Sequence, residues 1–61
     1  MWHNTKSGDL PEDGGKVIID VDGRELCARY NEKERCFLVK VDNLEQLHFY
    51  WKEQEIMWSE N

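Results

Sequence analysis

The chain has 61 residues, of which 39% are hydrophobic and 34% charged, and its formal net charge is −5. A chain of this length forms one domain at most, here residues 1–61, and buries only about 60% of the surface that its unfolded form exposes. Its Lys and Arg residues form no cluster, so nucleic acid and anionic membranes are not expected partners. A basic protein surface is a better electrostatic match to the acidic balance.

The sequence also lacks the segments that direct a chain to membranes or secretion. No apolar run approaches the length of about 20 residues that spans a bilayer. The N-terminal residues lack the apolar core of a signal peptide. We therefore expect a cytoplasmic protein whose two cysteines stay reduced.

The first chain reversal is predicted in the segment Leu10-Pro-Glu-Asp-Gly-Gly15. Proline fixes φ and glycine supplies positive φ, which is typical of a turn that precedes a strand. The spacing of a phosphate-binding loop is absent, and Glu12 and Asp13 would repel an anion. We expect a turn here, with Leu10 packed against the core.

A β-hairpin follows this turn. Residues 16–22 alternate between apolar and polar side chains, which predicts a half-buried strand. Asp22 and Gly23 then form the strongest two-residue hairpin signal, because a type I′ turn needs positive φ at both positions. Closing the hairpin there places Ile19 opposite Leu26 and gathers the apolar side chains of both strands on one face.

A third strand is predicted to extend the hairpin into a meander. Residues 31–34 read as the next turn, and a four-residue loop there places Ala28 opposite Phe37. Residues 16–41 then form a three-stranded antiparallel sheet with one apolar face. Such a sheet needs a cover for that face, which residues 42–61 must supply.

The last third of the chain permits two interpretations. Leu44, Leu47 and Trp51 recur at helical spacing, which gives an α+β alternative with one helix over residues 43–52 and a last strand. Leu47 also alternates with Phe49 and Trp51, and the density of aromatic residues favours strands.

The strand interpretation predicts a second hairpin that turns at residues 53 and 54, with Trp51 opposite Ile56 and Phe49 opposite Trp58. We therefore predict a mainly β fold, an antiparallel meander that closes into a five-stranded SH3-like roll or barrel.

Three parts of the sequence resemble a known family. They are Trp2, the segment Leu10-Pro-Glu-Asp-Gly-Gly-Lys-Val-Ile-Ile-Asp-Val21 and the closing Ile56-Met-Trp-Ser-Glu-Asn61. This frame resembles the phage- and prophage-encoded family called domain of unknown function five hundred fifty-one. Met57 stands where that family has histidine, and both closing prolines are missing. The resemblance implies a small fold and a mobile-element origin, and it carries over no catalytic residue.

The cysteines and histidines give no metal-binding pattern, and no cofactor is predicted. Cys27 and Cys36 lack the close spacing of zinc ligands. The predicted register puts them on one face, one diagonal step apart, where oxidation can join them. His3 is the third residue, a position that binds Cu(II) or Ni(II) in any chain with a free amino terminus.

The functional prediction is a binding module rather than an enzyme, because no nucleophile stands in a catalytic context and a chain this short rarely builds a cleft. In the second hairpin Tyr50 and Met57 would pair on the outward face near His48, with Trp51 beside them. We expect these residues to form a partner-binding surface for protein–protein contact or self-association. The alternative is an acidic inhibitor or decoy that occupies a basic groove on a host protein, and its binding would weaken steeply with salt.

Overall fold

The computed structural model describes residues 1–42 and 45–60 as one antiparallel sheet. Its strands are β1 (Trp2–Asn4), β2 (Lys16–Val21), β3 (Arg24–Asn31), β4 (Cys36–Lys40), β5 (Gln46–Tyr50) and β6 (Met57–Glu60). A single turn of 3₁₀ helix (Thr5–Ser7) follows β1. The strand order is β1-β6-β2-β3-β4-β5. The mainly β prediction is confirmed, but the sheet has six strands and stays open between β1 and β5.

No helix within these described ranges is long and apolar enough to cross a membrane.

The predicted β2–β3 hairpin is confirmed in both turn and register. Asp22 and Gly23 have φ of 53° and 82°, as a type I′ turn requires. Ile19 lies opposite Leu26. The Gly23 amide donates to Oδ1 of Asp20 at 3.0 Å, which closes the turn from one strand.

The segment before β2 is a turn that extends this hairpin, also as predicted. The Gly14 amide donates to the Tyr30 carbonyl at 2.8 Å, and the Tyr30 amide donates to the Gly15 carbonyl at 3.0 Å. Oδ1 of Asp13 accepts the Glu32 amide at 3.0 Å. Leu10 packs against the core. The backbone groups of this segment therefore bond to the end of β3.

The predicted β3–β4 register is wrong by two residues, because the turn lies one residue later. Phe37 lies opposite Tyr30 rather than Ala28, and Cys36 lies opposite Asn31. Oδ1 of Asn31 accepts the Glu34 amide at 3.1 Å. The next residue, Arg35, takes the left-handed conformation with φ of 56°. A shift of two preserves the faces of a strand, so the predicted core side chains still point inward.

One face of the sheet carries the core. Tyr30 and Phe37 are among its largest fully buried side chains, with ring centroids 5.1 Å apart. Burial of one such side chain stabilises the fold by about 1.5 to 3 kcal/mol. The remaining buried hydrophobic members of the cluster are Val17, Ile19, Val21, Ala28, Val39, Ile56 and Trp58, and Leu10, Leu26, Phe49 and Trp51 pack at its margin.

The predicted second hairpin does not form. β5 pairs with β4, which places Phe49 opposite Phe37, whereas β6 lies between β1 and β2 and places Trp58 opposite Ile19. The central position gives Trp58 two neighbouring strands and leaves it only 6% exposed. A two-stranded ribbon would not have covered this large side chain as well.

The helical alternative is wrong over residues 46–50, which form β5, while residues 43 and 44 of that alternative lie outside the described ranges. Oδ1 of Asp42 accepts the Glu45 amide at 2.9 Å. This is the type of bond that caps a helix, but here the chain continues into a strand.

Candidate functional site

β5 is an edge strand whose backbone is bonded on one side. Leu47 lies opposite Val39 in β4, and the Val41 amide donates to the Glu45 carbonyl at 3.1 Å. In an antiparallel strand the backbone groups of successive residues point to alternate sides. Leu47 and Phe49 therefore use their N–H and C=O groups toward β4.

The backbone groups of Gln46, His48 and Tyr50 point to the open side of β5. The Tyr50 carbonyl is bonded by the Glu53 amide at 3.0 Å, within the turn that ends the strand. The open side thus presents both backbone groups of Gln46 and His48 together with the N–H of Tyr50. A row of such groups is a template for the addition of another strand.

The side chains of β5 leave this edge accessible. Leu47 is 44% exposed and Tyr50 is 37% exposed. The rings of His48 and Tyr50 lie nearly parallel on the outer face, inclined by 14° with centroids 6.2 Å apart. Sheet edges in monomeric proteins are commonly protected by Lys, Pro or an inward charge. β5 contains none of these residues, although 34% of the chain is charged.

The opposite edge of the sheet, β1, is a poorer template. It has three residues and ends where Asn4 begins the 3₁₀ turn, with its side chain accepting the Lys6 amide at 2.9 Å. Nδ2 of Asn4 also donates to Oε2 of Glu55 at 3.3 Å. Short strands that end in a tight turn are one of the ways in which proteins protect sheet edges.

An open apolar cleft borders β5 on the core side. β3 pairs with β4 only from Arg29 to Asn31, and the two strands diverge beyond that point. The cleft, of about 540 Å³, is lined by Val21, Asp22, Arg24, Leu26, Val39, Lys40, Val41, Leu47 and Phe49. Apolar surface therefore continues from the edge strand into the divergence between β3 and β4.

Of the four predicted partner-binding residues, the structure brings His48 and Tyr50 together on β5. Trp51 follows them, half-buried, and packs against the core. Met57 lies on β6 opposite Asp20, and β2, β3 and β4 separate it from β5. The predicted pairing of Tyr50 with Met57 is wrong because the hairpin that would have paired them does not form.

Two features of the site were missed in the sequence. The alternation of Leu47 with Phe49 does not indicate its exposure, which follows from the edge position of β5. Gln46 was not singled out because its contribution is a backbone group. Strand order decides which strand lies at an edge, and no local pattern in residues 46–50 encodes that order.

A second cluster joins the two ends of the described chain. His3 donates from Nδ1 to Oδ2 of Asp9 at 2.6 Å and from Nε2 to Oε2 of Glu60 at 2.8 Å. Both ring nitrogens can donate at once only in the imidazolium form. The hydrogen bond to Glu60, and after it the bond and charge of Asp9, raise the pKa of His3 against the opposing effect of desolvation.

This imidazolium clamp, defined by His3, Asp9 and Glu60, has a structural role in the fold. A hydrogen bond with the backbone of Glu60 itself lowers the pKa of the Glu60 carboxyl, and the bond from His3 lowers it further. With both nitrogens donating, His3 has no lone pair with which to accept a proton. The bond from Nδ1 of His3 to Asp9 competes with the binding of Cu(II) or Ni(II) at the amino terminus.

The two cysteines are not placed for a disulfide. The register puts Asn31, four residues beyond Cys27, opposite Cys36, so the two cysteines are offset by about 13 Å along the strands. Both are free thiols. Burial raises the pKa of Cys36. The predicted diagonal proximity is wrong for the same reason as the register.

Among the described residues, no group of three His, Cys, Asp or Glu side chains is arranged to hold a metal ion.

Comparison with known proteins gives no match to a family model, a curated protein or a solved structure. The resemblance to the prophage family stays a prediction.

Proposed function

We propose that the protein is a binding module that recognises other polypeptides by adding an extended strand to the open edge of β5. The observation that carries this proposal is the outward backbone row of Gln46, His48 and Tyr50 on a strand without charge or proline. Recognition by strand addition draws its affinity from main-chain hydrogen bonds and its selectivity from pockets for alternate side chains.

The two faces beside this edge supply the selective contacts. On the core side, Leu47 and the apolar cleft accept aliphatic side chains of an added strand. On the outer face, the nearly parallel rings of His48 and Tyr50 offer a flat aromatic surface. An added strand with alternating residues would place one set of side chains on each surface.

The acidic decoy receives less support from the same surface. A decoy needs massed carboxylates where it meets a basic groove, whereas β5 contains no acidic residue. Binding through β5 is therefore expected to change little with ionic strength, because its main contributions are backbone bonds and apolar contacts.

A proline at position 48 tests the proposal. His48→Pro removes an N–H that points outward, so the β4–β5 ladder keeps its bonds and the domain should fold. His48→Thr is the matched control, because it removes the imidazole but keeps the N–H. A displayed library of random extended peptides, selected on the wild-type protein, supplies the ligands.

The proposal predicts that selected peptides bind His48→Pro at least tenfold more weakly than His48→Thr, which loses only the contacts of the imidazole ring. The backbone amide NMR shifts of Gln46, His48 and Tyr50 should move upon binding. Peptides that bind His48→Pro as well as wild type, or that leave these amides unmoved, would refute it.

A further inference from the structure

We infer that the strand added to β5 is β5 of a second copy, so that two chains form a continuous sheet across a two-fold axis at His48. This inference rests on the proposed function and names its partner. It is motivated by the self-complementarity of the five residues Gln46–Tyr50.

Only one antiparallel register pairs the whole strand with its copy. A two-fold axis at His48 places the two His48 residues opposite each other and Gln46 opposite Tyr50 of the second copy. Each His48 then donates its N–H to the His48 carbonyl across the axis. The Tyr50 N–H meets the Gln46 carbonyl, and the Gln46 N–H shares the Tyr50 carbonyl with the Glu53 amide that already bonds it.

The side chains agree with the same register. Leu47, which is 44% exposed, lies opposite Phe49 of the second copy on the core side. Cross-strand pairs of aliphatic and aromatic side chains stabilise sheets. The apolar clefts of the two copies then continue into each other, which removes exposed apolar surface from water.

The charges also favour this arrangement. Each chain carries a net charge of −5, so a contact between copies must avoid acidic residues. β5 has no charged residue. The register brings Glu45 of each chain to within one residue of Lys52 of the other, where opposite charges attract.

The size of the contact predicts a weak dimer. A five-residue strand buries less than the roughly 1,200 Å² at which stable interfaces begin. We expect a dimer that dissociates on dilution between about 1 mM and about 10 µM. Sedimentation equilibrium over this range measures the association, with His48→Thr expected within about threefold of wild type and His48→Pro monomeric throughout.

Cysteine cross-linking tests the register without requiring the proline variant to fold. In a background with Cys27→Ser and Cys36→Ala, which also removes the thiol opposite position 50, His48→Cys places two thiols across the axis with Cα atoms about 5.5 Å apart, within the range of a disulfide. Tyr50→Cys places them about 14 Å apart. Under mild oxidation His48→Cys should form a covalent dimer at least tenfold faster than Tyr50→Cys.

The inference is overturned if wild type is monomeric at about 1 mM, if a folded His48→Pro protein associates as well as wild type, or if Tyr50→Cys cross-links as fast as His48→Cys. A monomeric wild type that still binds selected peptides through β5 would refute the dimer and leave the proposed function intact. Peptides that bind His48→Pro with the affinity of wild type would instead refute the proposed function.

Discussion

The imidazole of His3 stacks on the indole of Trp58, with ring centroids 4.2 Å apart and planes inclined by 28°. The indole Nε1 of Trp58 donates to the Asp9 carbonyl at 2.7 Å, while the carboxylate of Asp9 accepts from His3. The His3 ring, the Trp58 indole and Asp9 in the loop therefore each contact the other two. They attach β1 and the loop after it to β6, which lies against the core.

Stability should depend on pH through this imidazolium clamp. The pKa of His3 is raised above its ordinary value of 6.5, so its contribution is complete below that pH and is lost as the pH rises through the folded-state pKa. The pKa of Glu60 is lowered from about 4.5, so its contribution is complete above that value and is lost as the pH falls through the lowered pKa.

The variant His3→Phe keeps a ring on Trp58 but removes both donors. Thermal melts of wild type and variant across pH 4 to 9 should differ most between about 4.5 and 6.5 and converge at higher pH. A difference that grows above pH 7 would contradict the assignment of His3 as imidazolium.

The buried hydroxyl of Thr5 is expected to stabilise the junction between β1 and β6. Thr5 is 1% exposed, and its Oγ1 donates to the Ile56 carbonyl at 2.9 Å, beside the Thr5 amide at 3.2 Å. Thr5→Val keeps the shape and removes one donor, so we expect a loss of about 1 kcal/mol. Urea unfolding measures this loss, and unchanged stability would show that the hydroxyl bond contributes nothing.

Removal of the Tyr30 hydroxyl should be nearly neutral, unlike removal of most buried hydroxyls. Tyr30 Oη and Trp51 Nε1 are both buried, and neither has a partner in hydrogen-bond geometry among the residues that the structure describes. Desolvation raises the pKa of Tyr30, and the nearby indole N–H only partly opposes this effect. Tyr30→Phe should change the free energy of unfolding by no more than about 0.5 kcal/mol. A loss above about 1 kcal/mol would mean that the two groups do bond.

The β2–β3 turn should be sensitive to a methyl group at Gly23. A Cβ there would meet no atom within 4 Å, so the effect of Gly23→Ala is conformational alone. Its φ of 82° costs an L-residue about 1 to 2 kcal/mol. Asp22→Asn, at φ of 53°, is the control and should stay within about 0.5 kcal/mol of wild type, because Asn tolerates the left-handed region. Equal effects of the two substitutions in urea unfolding would contradict this interpretation.

The parts of the fold that sequence predicted are those fixed by local chemistry. The turn at Asp22 and Gly23 and the alternation of β2 determine the first hairpin within a dozen residues. The β3–β4 register was missed because several polar residues compete for the turn, and the left-handed conformation of Arg35 has no glycine to mark it.

Strand order was beyond local prediction. Trp58 alternates as a strand residue should, and the same pattern fits a partner in β5 or a place between β1 and β2. Burial of the indole decides between them, and burial depends on the whole sheet. The sequence predicts that His48 and Tyr50 lie together, which the structure confirms. It places Met57 beside them through a pairing that does not occur.

The imidazolium clamp was also beyond prediction. Glu60 lies 57 residues from His3, and neither position has a motif around it. The contact exists because β1 and β6 are paired, with His3 opposite Trp58.

Residue-resolved amide hydrogen exchange at low and high protein concentration tests the open edge of β5 most directly. In dilute solution the amides of Leu47 and Phe49 should be protected, and that of His48 should exchange rapidly, because its N–H points away from β4. At high concentration the His48 amide should gain protection as the strands of two copies pair. Equal protection of His48 and Phe49 in dilute solution would show that the edge is already closed within one chain, and would contradict the account.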